Sequence, residues 1–406
     1  MIPISRRIAA ISESATIKVD RRAKELTAQG RSIISFGTGE PDFATPEHIV
    51  DAAVAAARDP RNHHYSAPSG LPELRAAIAE KTQRDSGLDI DPSQVIVTNG
   101  GKQAVFEAFA TVLDDGDEVL LPAPYWTTYP ESIALAGGTA VEVFAGADQG
   151  YKVTVAQLEA ATTKRTRGLV FVSPSNPTGA VYTEQETRDI GEWALAHGLW
   201  VLADEIYQDL TYDGVRAPSI VSVVPELASS TLLANGVAKT YAMTGWRVGW
   251  LVAPPAIASA AANLQSHLCS NVSNVAQHAA LAALTGPQDA AHDMHEAFAR
   301  RRAVILEQLR AVEGLHVPTP DGAFYVYADV RALLSAERGE GMPTTSLELA
   351  DDLLEHAGVA AVPGEAFGKS GYLRFSYALG DDDIREGIKR VRSFVDSRSP
   401  GDLSRT

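Results

Sequence analysis

One lysine and one arginine stand eight residues apart in a segment of small residues and glycines. They are Lys239 and Arg247 of the segment Asn235-Gly-Val-Ala-Lys239-Thr-Tyr-Ala-Met-Thr-Gly-Trp-Arg247. Apolar, strand-like runs flank this segment on both sides. A buried ammonium group is costly unless it is paired or neutral, and a lysine with a lowered pKa attacks carbonyl carbons to form a Schiff base. Because arginine can grip a phosphate with two hydrogen bonds, the pair fits an aldehyde cofactor that carries a phosphate. A surface turn with two solvated cations is the alternative.

Three polar residues after apolar runs extend this chemistry. Asp204 ends the run from Leu199 and could keep a pyridine nitrogen protonated, although an aspartate that caps a helix is also common. Tyr207 lies three residues further on and can face the same site if the chain turns helically. Asn176 lies in Ser-Pro-Ser-Asn-Pro-Thr-Gly, which is either a plain turn or a fixed amide donor; its bond to Pro177 is a candidate cis peptide.

Other residues could bind anions or a flat ring. Gly100, Gly101 and Lys102 lie between a predicted strand and an apolar helix, and free N–H groups at such a helix start favour a phosphate. Arg374 lies in an alternating strand and could clamp a carboxylate, with a solvated strand face as the alternative. Trp126 could stack on a ring or simply pack.

Several other site types do not match. The glycines near Gly39 lack the third glycine of a dinucleotide site, and Lys102 is followed by Gln103 rather than the serine or threonine of a P-loop. His292 and His295 lack the glutamate-containing spacing of a zinc protease, so we predict no metal site.

The bulk composition restricts the partners. The chain has 406 residues and a formal net charge of −16, which argues against nucleic acid and anionic membranes as partners. A single cysteine, Cys269, excludes an internal disulfide. The first residues show no apolar core of a signal peptide, so we expect a cytoplasmic protein.

The elements that must position these residues alternate between strands and helices from about residue 95 to residue 252. This order predicts an α/β fold with a mainly parallel sheet, in which functional groups lie beyond the carboxyl ends of strands. From Pro287 onward a long helix and a few strands indicate a smaller α+β unit. We expect a large domain at 48–285 and a small domain made of 1–47 and 286–406.

Together these motifs resemble the fold-type I pyridoxal-phosphate aminotransferases, and most of all the bacterial class-I aspartate aminotransferases. The resemblance runs from about Ser5 to about Val395. Its most specific segments are Gly39-Glu-Pro-Asp-Phe, Tyr65-Ser-Ala-Pro-Ser-Gly-Leu-Pro-Glu-Leu-Arg, Val-Thr-Asn-Gly-Gly-Lys-Gln-Ala104, Ser-Asn-Pro-Thr-Gly-Ala-Val181, Asp204-Glu-Ile-Tyr, Lys239-Thr-Tyr-Ala-Met-Thr-Gly-Trp-Arg247 and Leu-Arg374-Phe-Ser-Tyr. The family implies a large domain with a seven-stranded, mainly parallel sheet and pyridoxal 5′-phosphate as cofactor.

The resemblance also implies a role for each candidate. Lys239 would bind the cofactor aldehyde and later move a proton. Asp204 would pair with the ring nitrogen, Tyr207 and Asn176 would hydrogen-bond the phenolic oxygen, and Trp126 would stack on the ring. Arg247 and the backbone of Gly100, Gly101 and Lys102 would hold the phosphate, together with Tyr65 of the second subunit of a homodimer. Arg374 and the backbone of Gly39 would bind the substrate carboxylate, and Trp126 and Asn176 would also contact the substrate.

The amino donor is less well specified. Lys102 and the Ser14-Ala15-Thr16 segment match residues that related bacterial enzymes use for a distal carboxylate, which favours L-aspartate with 2-oxoglutarate. Gly236 stands where some relatives have a serine near the phosphate. An aromatic or prephenate-type aminotransferase is the nearest alternative. A lyase on the same scaffold and a cofactor-binding regulator without activity are more distant ones.

Overall fold

The computed structural model describes residues 2–11, 13, 15–334 and 342–398. The described residues form fourteen α-helices, and a π-helical turn, Leu353–Ala357, continues α13. The helices are α1 Arg6–Ala9, α2 Ala15–Ala28, α3 Glu47–Arg58, α4 Pro72–Ser86, α5 Gly101–Val112, α6 Thr128–Leu135, α7 Val155–Ala161, α8 Glu184–Ala196, α9 Ile220–Val223, α10 Pro255–Leu268, α11 Asn274–Thr285, α12 Asp289–Arg310, α13 Ser346–Asp352 and α14 Asp381–Ser397. In the described ranges, no helix combines the length and the apolar character needed to cross a membrane.

The described strands form three sheets. They are β1 Ile34–Ser35, β2 Val95–Thr98, β3 Glu118–Ala123, β4 Thr139–Phe144, β5 Thr166–Val172, β6 Trp200–Asp204, β7 Thr231–Gly236, β8 Gly249–Val252, β9 Tyr325–Asp329, β10 Val359–Ala360, β11 Val362–Pro363 and β12 Tyr372–Ser376. The largest sheet has seven strands in the order β2-β8-β7-β6-β5-β3-β4. All its pairs are parallel except those of β8, which runs antiparallel to both neighbours. The predicted mainly parallel, seven-stranded α/β sheet is confirmed.

The apolar sequences of the central strands agree with their burial between layers of helices. Strands β6 and β7 are buried along nearly their whole length, as expected for a parallel sheet with helices on both faces. Helix α8 is well terminated, because Thr183 and Glu186 form a capping box at its N-terminus.

The reversed strand β8 places three segments at one edge of the sheet. Gly249 pairs with Gly236 at the end of β7 and with Thr98 at the end of β2. The loop with Lys239 and Arg247 therefore lies beside the Gly-Gly turn that follows β2. Asp204 belongs to the same edge, because it pairs with Ala234 of β7.

The other two sheets bring distant parts of the chain together. Strand β12 pairs with β11 and β9 in an antiparallel sheet, whereas β1 pairs with β10. Arg301 of α12 donates to both carboxylate oxygens of Asp42, at 2.7 and 2.9 Å, and so anchors the loop that includes Gly39. These contacts join the N-terminal segment to the C-terminal part of the chain.

Candidate active site

A cavity of about 610 Å³ lies at the carboxyl edge of the seven-stranded sheet. Its size is typical of a small-molecule site. Residues of both ends of the chain and of the central sheet line it. Eleven of the residues predicted from the sequence are among them: Thr16, Gly39, Gly101, Lys102, Trp126, Asn176, Asp204, Tyr207, Lys239, Arg247 and Arg374.

Lys239 lies half-buried in the turn after β7. Its Nζ donates to the carbonyl oxygen of Gly39 at 2.5 Å and lies 5.9 Å from the centre of the Tyr207 ring. Burial lowers the pKa of Lys239 to about 8, and the charges of Arg374 and Arg247 act in the same direction while Glu40 opposes them. With this pKa, about a tenth of the amine is neutral at pH 7, far more than for an ordinary lysine, and the neutral amine is a nucleophile. The alternative of a solvated surface lysine is wrong.

Asp204 ends β6 and is 6 % exposed. Its Oδ2 accepts from the hydroxyl of Tyr129 at 2.8 Å, and its Oδ1 accepts from the N–H of Ile206 at 3.1 Å. Burial raises the pKa of Asp204, and these two hydrogen bonds and the charge of Lys239 oppose that effect. The chain that follows Asp204 forms a turn and not an α-helix, so the alternative of a helix cap is wrong. A buried carboxylate in this setting suits a cationic ligand.

The cavity has a buried wall, formed by the lining residues Asp204, Tyr207, Asn176 and Arg374. Arg374 and Asn176 contact each other on this wall. Arg374 is 2 % exposed; it donates to the carbonyl of Gly37 at 2.7 Å and to Oδ1 of Asn176 at 3.0 Å. Its Nε has no hydrogen-bond partner, and no ion pair to it occurs among the described residues. Burial lowers the pKa of this guanidinium. A buried cation with only neutral acceptors is suited to an anion from outside. The Asn176–Pro177 bond is cis.

The Gly-Gly turn and Arg247 form a more open end of the cavity. Gly100 has φ +80°, and a Cβ on it would lie 2.6 Å from Nη2 of Arg247. A Cβ on Gly249 would lie 2.5 Å from the N atom of Gly101. Only glycines allow this approach of the guanidinium to the start of α5. Helix N–H groups and a cation at one point favour a phosphate.

Lys102 and Trp126 also line the cavity, and Lys102 directly follows the Gly-Gly turn. The Nζ of Lys102 lies 5.3 Å from the centre of the Trp126 ring, a cation–π distance. Desolvation, and then the charge of Arg247, lower the pKa of Lys102. Trp126 packs edge-on against Tyr129, with 5.4 Å between the ring centres. Thr16 of α2 lines the same cavity, whereas Ser14 lies outside the described residues.

Two tyrosines that no sequence motif marks as site residues complete the buried wall. Tyr129 bonds Asp204, and the hydroxyl of Tyr325 lies 2.8 Å from that of Tyr207. Both line the cavity. Burial raises the pKa of Tyr129 well above its ordinary value, and it also raises the pKa of Tyr325. In the sequence both resemble ordinary core aromatics. The one signal for Tyr325 is its place at the start of a strand that follows Gly322 closely.

Tyr65 does not belong to this cavity within one chain. Its side chain is 89 % exposed and it is absent from the lining. No group of three or more histidine, cysteine, aspartate or glutamate side chains that could hold a metal ion occurs in the described residues.

A family model described as aminotransferase class I and II matches residues 31–391, most of the chain. The chain belongs to this aminotransferase family. The aminotransferase is 58% identical over 392 residues to an aspartate aminotransferase of Streptomyces avermitilis, covering 97% of this chain and 96% of the relative. It is 44% identical over 393 residues to an aspartate/prephenate aminotransferase of Cereibacter sphaeroides, covering 96% and 98%. The structure of the aspartate aminotransferase from Rhizobium meliloti superposes with a TM-score of 0.93 at 39% identity, covering 98% of this chain and 99% of that one.

The aminotransferase is thus an enzyme that uses pyridoxal 5′-phosphate, as its family does. The lining residues fit this group at several points. The absence of a side chain on Gly100 lets the Arg247 guanidinium approach the start of α5, which favours an anion there, and Asp204 is a buried carboxylate that favours a cationic ring nitrogen. Lys239 offers an amine with a lowered pKa between these two ends.

Proposed function

We propose that the enzyme transfers the amino group of L-aspartate to 2-oxoglutarate, giving oxaloacetate and L-glutamate. The observation that carries this proposal is that the cavity lining holds Lys102 and the buried Arg374 in addition to the two cations proposed for the cofactor, Lys239 and Arg247. A dicarboxylate substrate needs a cation for each carboxylate. Thr16, which lines the same cavity, would assist Lys102 at the distal carboxylate. The name of the Streptomyces relative supports aspartate as the donor.

The residues of the buried wall would divide the chemistry among them. When bound, pyridoxal 5′-phosphate acts as an electron sink for the bond that breaks at the substrate Cα. Lys239 would bind the cofactor aldehyde and, once released, carry a proton between the substrate Cα and the cofactor C4′. Asp204 would keep the ring nitrogen protonated, because its negative charge lies in a buried setting. Tyr207 and Asn176 would donate hydrogen bonds to the phenolic oxygen, and Trp126 would cover one face of the ring.

The open end of the cavity would hold the phosphate. Arg247 and the N–H groups of Gly100, Gly101 and Lys102 would bind its oxygens. We further propose a homodimer in which Tyr65 of one copy reaches the phosphate in the other copy. The exposure of an aromatic side chain at 89 % in a single chain supports an intermolecular role.

Arg374 would fix the substrate through its α-carboxylate, with the backbone of Gly39 assisting. Holding the carboxylate fixes the direction of the Cα–H bond relative to the ring, a positioning effect worth several kcal/mol. This proposal also needs the small domain, 1–47 with 286–406, to meet the large domain, 48–285, at the cavity. We place the enzyme in the cytoplasm, in keeping with its single cysteine.

A coupled assay of oxaloacetate formation from L-aspartate and 2-oxoglutarate tests the proposal. We expect turnover that Lys239→Ala abolishes. The Lys102→Met variant should raise the KM for aspartate about tenfold, because the cation proposed for the distal carboxylate is lost. It should leave the KM for tyrosine, which has no distal carboxylate, within about twofold. Equal effects on both donors would contradict the role of Lys102, and a wild-type enzyme that forms no oxaloacetate would contradict the substrate proposal.

Prephenate is a second candidate amino acceptor. The name of the Cereibacter relative, an aspartate/prephenate aminotransferase, favours it. Prephenate also carries two carboxylates, so Arg374 and Lys102 would suit it as well. Replacing 2-oxoglutarate by prephenate in the same assay distinguishes the two acceptors through their kcat/KM values.

A further inference from the structure

Tyr325 touches two residues to which the proposed function gives separate roles. It begins β9 and is 0 % exposed. Its hydroxyl oxygen lies 2.8 Å from that of Tyr207, and its ring centre lies 4.5 Å from Cζ of Arg374. One side chain therefore contacts both the group proposed for the cofactor's phenolic oxygen and the group proposed for the substrate carboxylate.

The number of protons in this pair limits their arrangement. Each tyrosine hydroxyl has one hydrogen to donate, and its oxygen can also accept. If Tyr207 donated to Tyr325, it would have no hydrogen left for a ligand in the cavity. The described residues offer the hydroxyl of Tyr325 no hydrogen-bond partner other than Tyr207. Donation from Tyr325 to Tyr207 gives the buried Tyr325 hydrogen its acceptor and leaves the Tyr207 hydrogen free.

We propose that Tyr325 is a positioning residue whose hydroxyl donates to Tyr207 and thereby directs the single hydrogen of Tyr207 into the cavity, toward the phenolic oxygen of the cofactor. This inference rests on the proposed role of Tyr207. Hydrogen bonds in series polarise one another, so a Tyr207 that accepts from Tyr325 is also the stronger donor.

The charged and titratable groups around the pair favour the same direction. Burial raises the pKa of both hydroxyls, and Arg374, which contacts the Tyr325 ring, lowers both. Asp204 raises the pKa of Tyr207 alone, so the Tyr325 hydroxyl is the better donor. Tyr207 faces Arg374, Asp204 and the ammonium group of Lys239, which lies 5.9 Å from its ring centre. No carboxylate among the groups that act on Tyr325 would compete for its hydrogen.

The Tyr325→Phe variant of the cofactor-loaded enzyme tests the inference. The absorbance of the bound cofactor, titrated with pH in the absence of substrate, should give a pKa raised by about one, because the phenolic oxygen loses part of a hydrogen bond that favours its anionic form. The kcat with aspartate should fall about tenfold, whereas the KM should stay within about twofold because the ring on Arg374 remains.

Two further variants separate positioning from simple packing. Tyr207→Phe should raise the spectroscopic pKa at least as much, and the double variant should show no further rise, because both hydroxyls act on one oxygen. Tyr327→Phe is the matched control: Tyr327 lies in the same strand, is buried, and its hydroxyl has no hydrogen-bond partner among the described residues. It should change neither the spectrum nor kcat.

The outcomes distinguish this inference from the proposal beneath it. A Tyr325→Phe enzyme with an unchanged spectroscopic pKa and kcat, beside an active wild type, would overturn the role of Tyr325. Additive shifts in the double variant would overturn it as well. A wild type without transamination of aspartate would contradict the proposed substrate and would leave the spectroscopic test to decide on Tyr325.

Discussion

The cavity has a buried wall and an exposed rim, and the two hold their charges in different ways. Arg374 and Asp204 belong to the wall, where protein atoms replace water and both pKa values are shifted by burial. Arg247 and Lys102 belong to the rim and remain exposed. Charges on the wall are oriented by short hydrogen bonds to neutral groups, whereas those on the rim keep part of their hydration.

This difference determines how much each group can contribute. An interaction between charges is several times stronger at a low effective dielectric constant than in water, and salt screens it less. The wall therefore suits the substrate carboxylate and the ring nitrogen, whose positions decide the chemistry. The rim suits a phosphate, which needs only to be held.

The largest expected effect follows from removing the wall cation. Arg374→Leu should lower kcat/KM for aspartate on the order of 10³-fold, because two charge-assisted hydrogen bonds to the substrate are lost. Steady-state kinetics would measure it. Arg374→Lys is the conservative control and should fall in between, because it keeps the charge without the planar fork. A change below about threefold in the Leu variant would remove Arg374 from substrate binding.

A second test compares two lysines that line the cavity: the half-buried Lys239 in its interior and the exposed Lys24 at its mouth. Lys239 has a pKa lowered to about 8 by burial, so it becomes neutral and reactive as the pH rises through about 8. The hydrogen bond with Asp20 raises the pKa of Lys24 above its ordinary value. Near pH 8 the neutral fraction of Lys239 should exceed that of Lys24 about a hundredfold.

Acylation of the apoprotein at a series of pH values, followed by peptide mass spectrometry, would give both titration midpoints. The Asp20→Asn variant serves as a control, because it should lower the midpoint of Lys24 alone. Midpoints above pH 10 for both lysines would contradict the contrast between interior and mouth.

Tyr129→Phe tests the support of Asp204 on the wall. The loss of one hydrogen bond to Oδ2 should raise the pKa of Asp204 further, so its charge is lost at a higher pH as the solution is acidified. We expect kcat to fall about tenfold and its acid limb to move to higher pH. Tyr125→Phe is the control, since the Tyr125 hydroxyl donates to Glu142 instead. Coincident pH profiles would exclude a role for Tyr129.

The smallest effect is expected on the rim. Arg247→Gln should weaken cofactor binding about fivefold at low ionic strength, because solvent already screens this guanidinium. Equilibrium dialysis at low and high salt would measure the Kd, and the difference from the wild type should shrink as salt rises. A loss of several hundredfold that salt does not change would place Arg247 with the wall.

The sequence was sufficient for the groups that carry charge at strand ends. Asp204 and Lys239 follow apolar runs, and polar residues in that position of a parallel sheet meet at one edge. The Gly-Gly turn at the start of α5 is predicted to bind an anion because its N–H groups are free, and the structure places Arg247 beside it. Arg374 was expected on an alternating strand, and the burial of its whole strand excludes the solvated alternative.

The supporting groups could not be found in this way. Tyr129 meets Asp204 across 75 positions of sequence, and Tyr325 meets Tyr207 across 118. A buried tyrosine in an apolar segment gives no sign of where its hydroxyl points, because that depends on how separate sheets pack. The same holds for Gly37, whose carbonyl accepts from Arg374 across 337 positions.

The reversed strand β8 has a consequence for the order in which the site is assembled during synthesis. It returns the chain after only one loop, so Lys239 and Arg247 arrive beside the turn at Gly100 with a short closure. All the groups proposed for the cofactor thus lie in the first 250 residues, which leave the ribosome before β9 and β12 are made. Arg374 comes more than a hundred residues later, so the place for the cofactor takes shape before the arginine proposed for the substrate α-carboxylate is made.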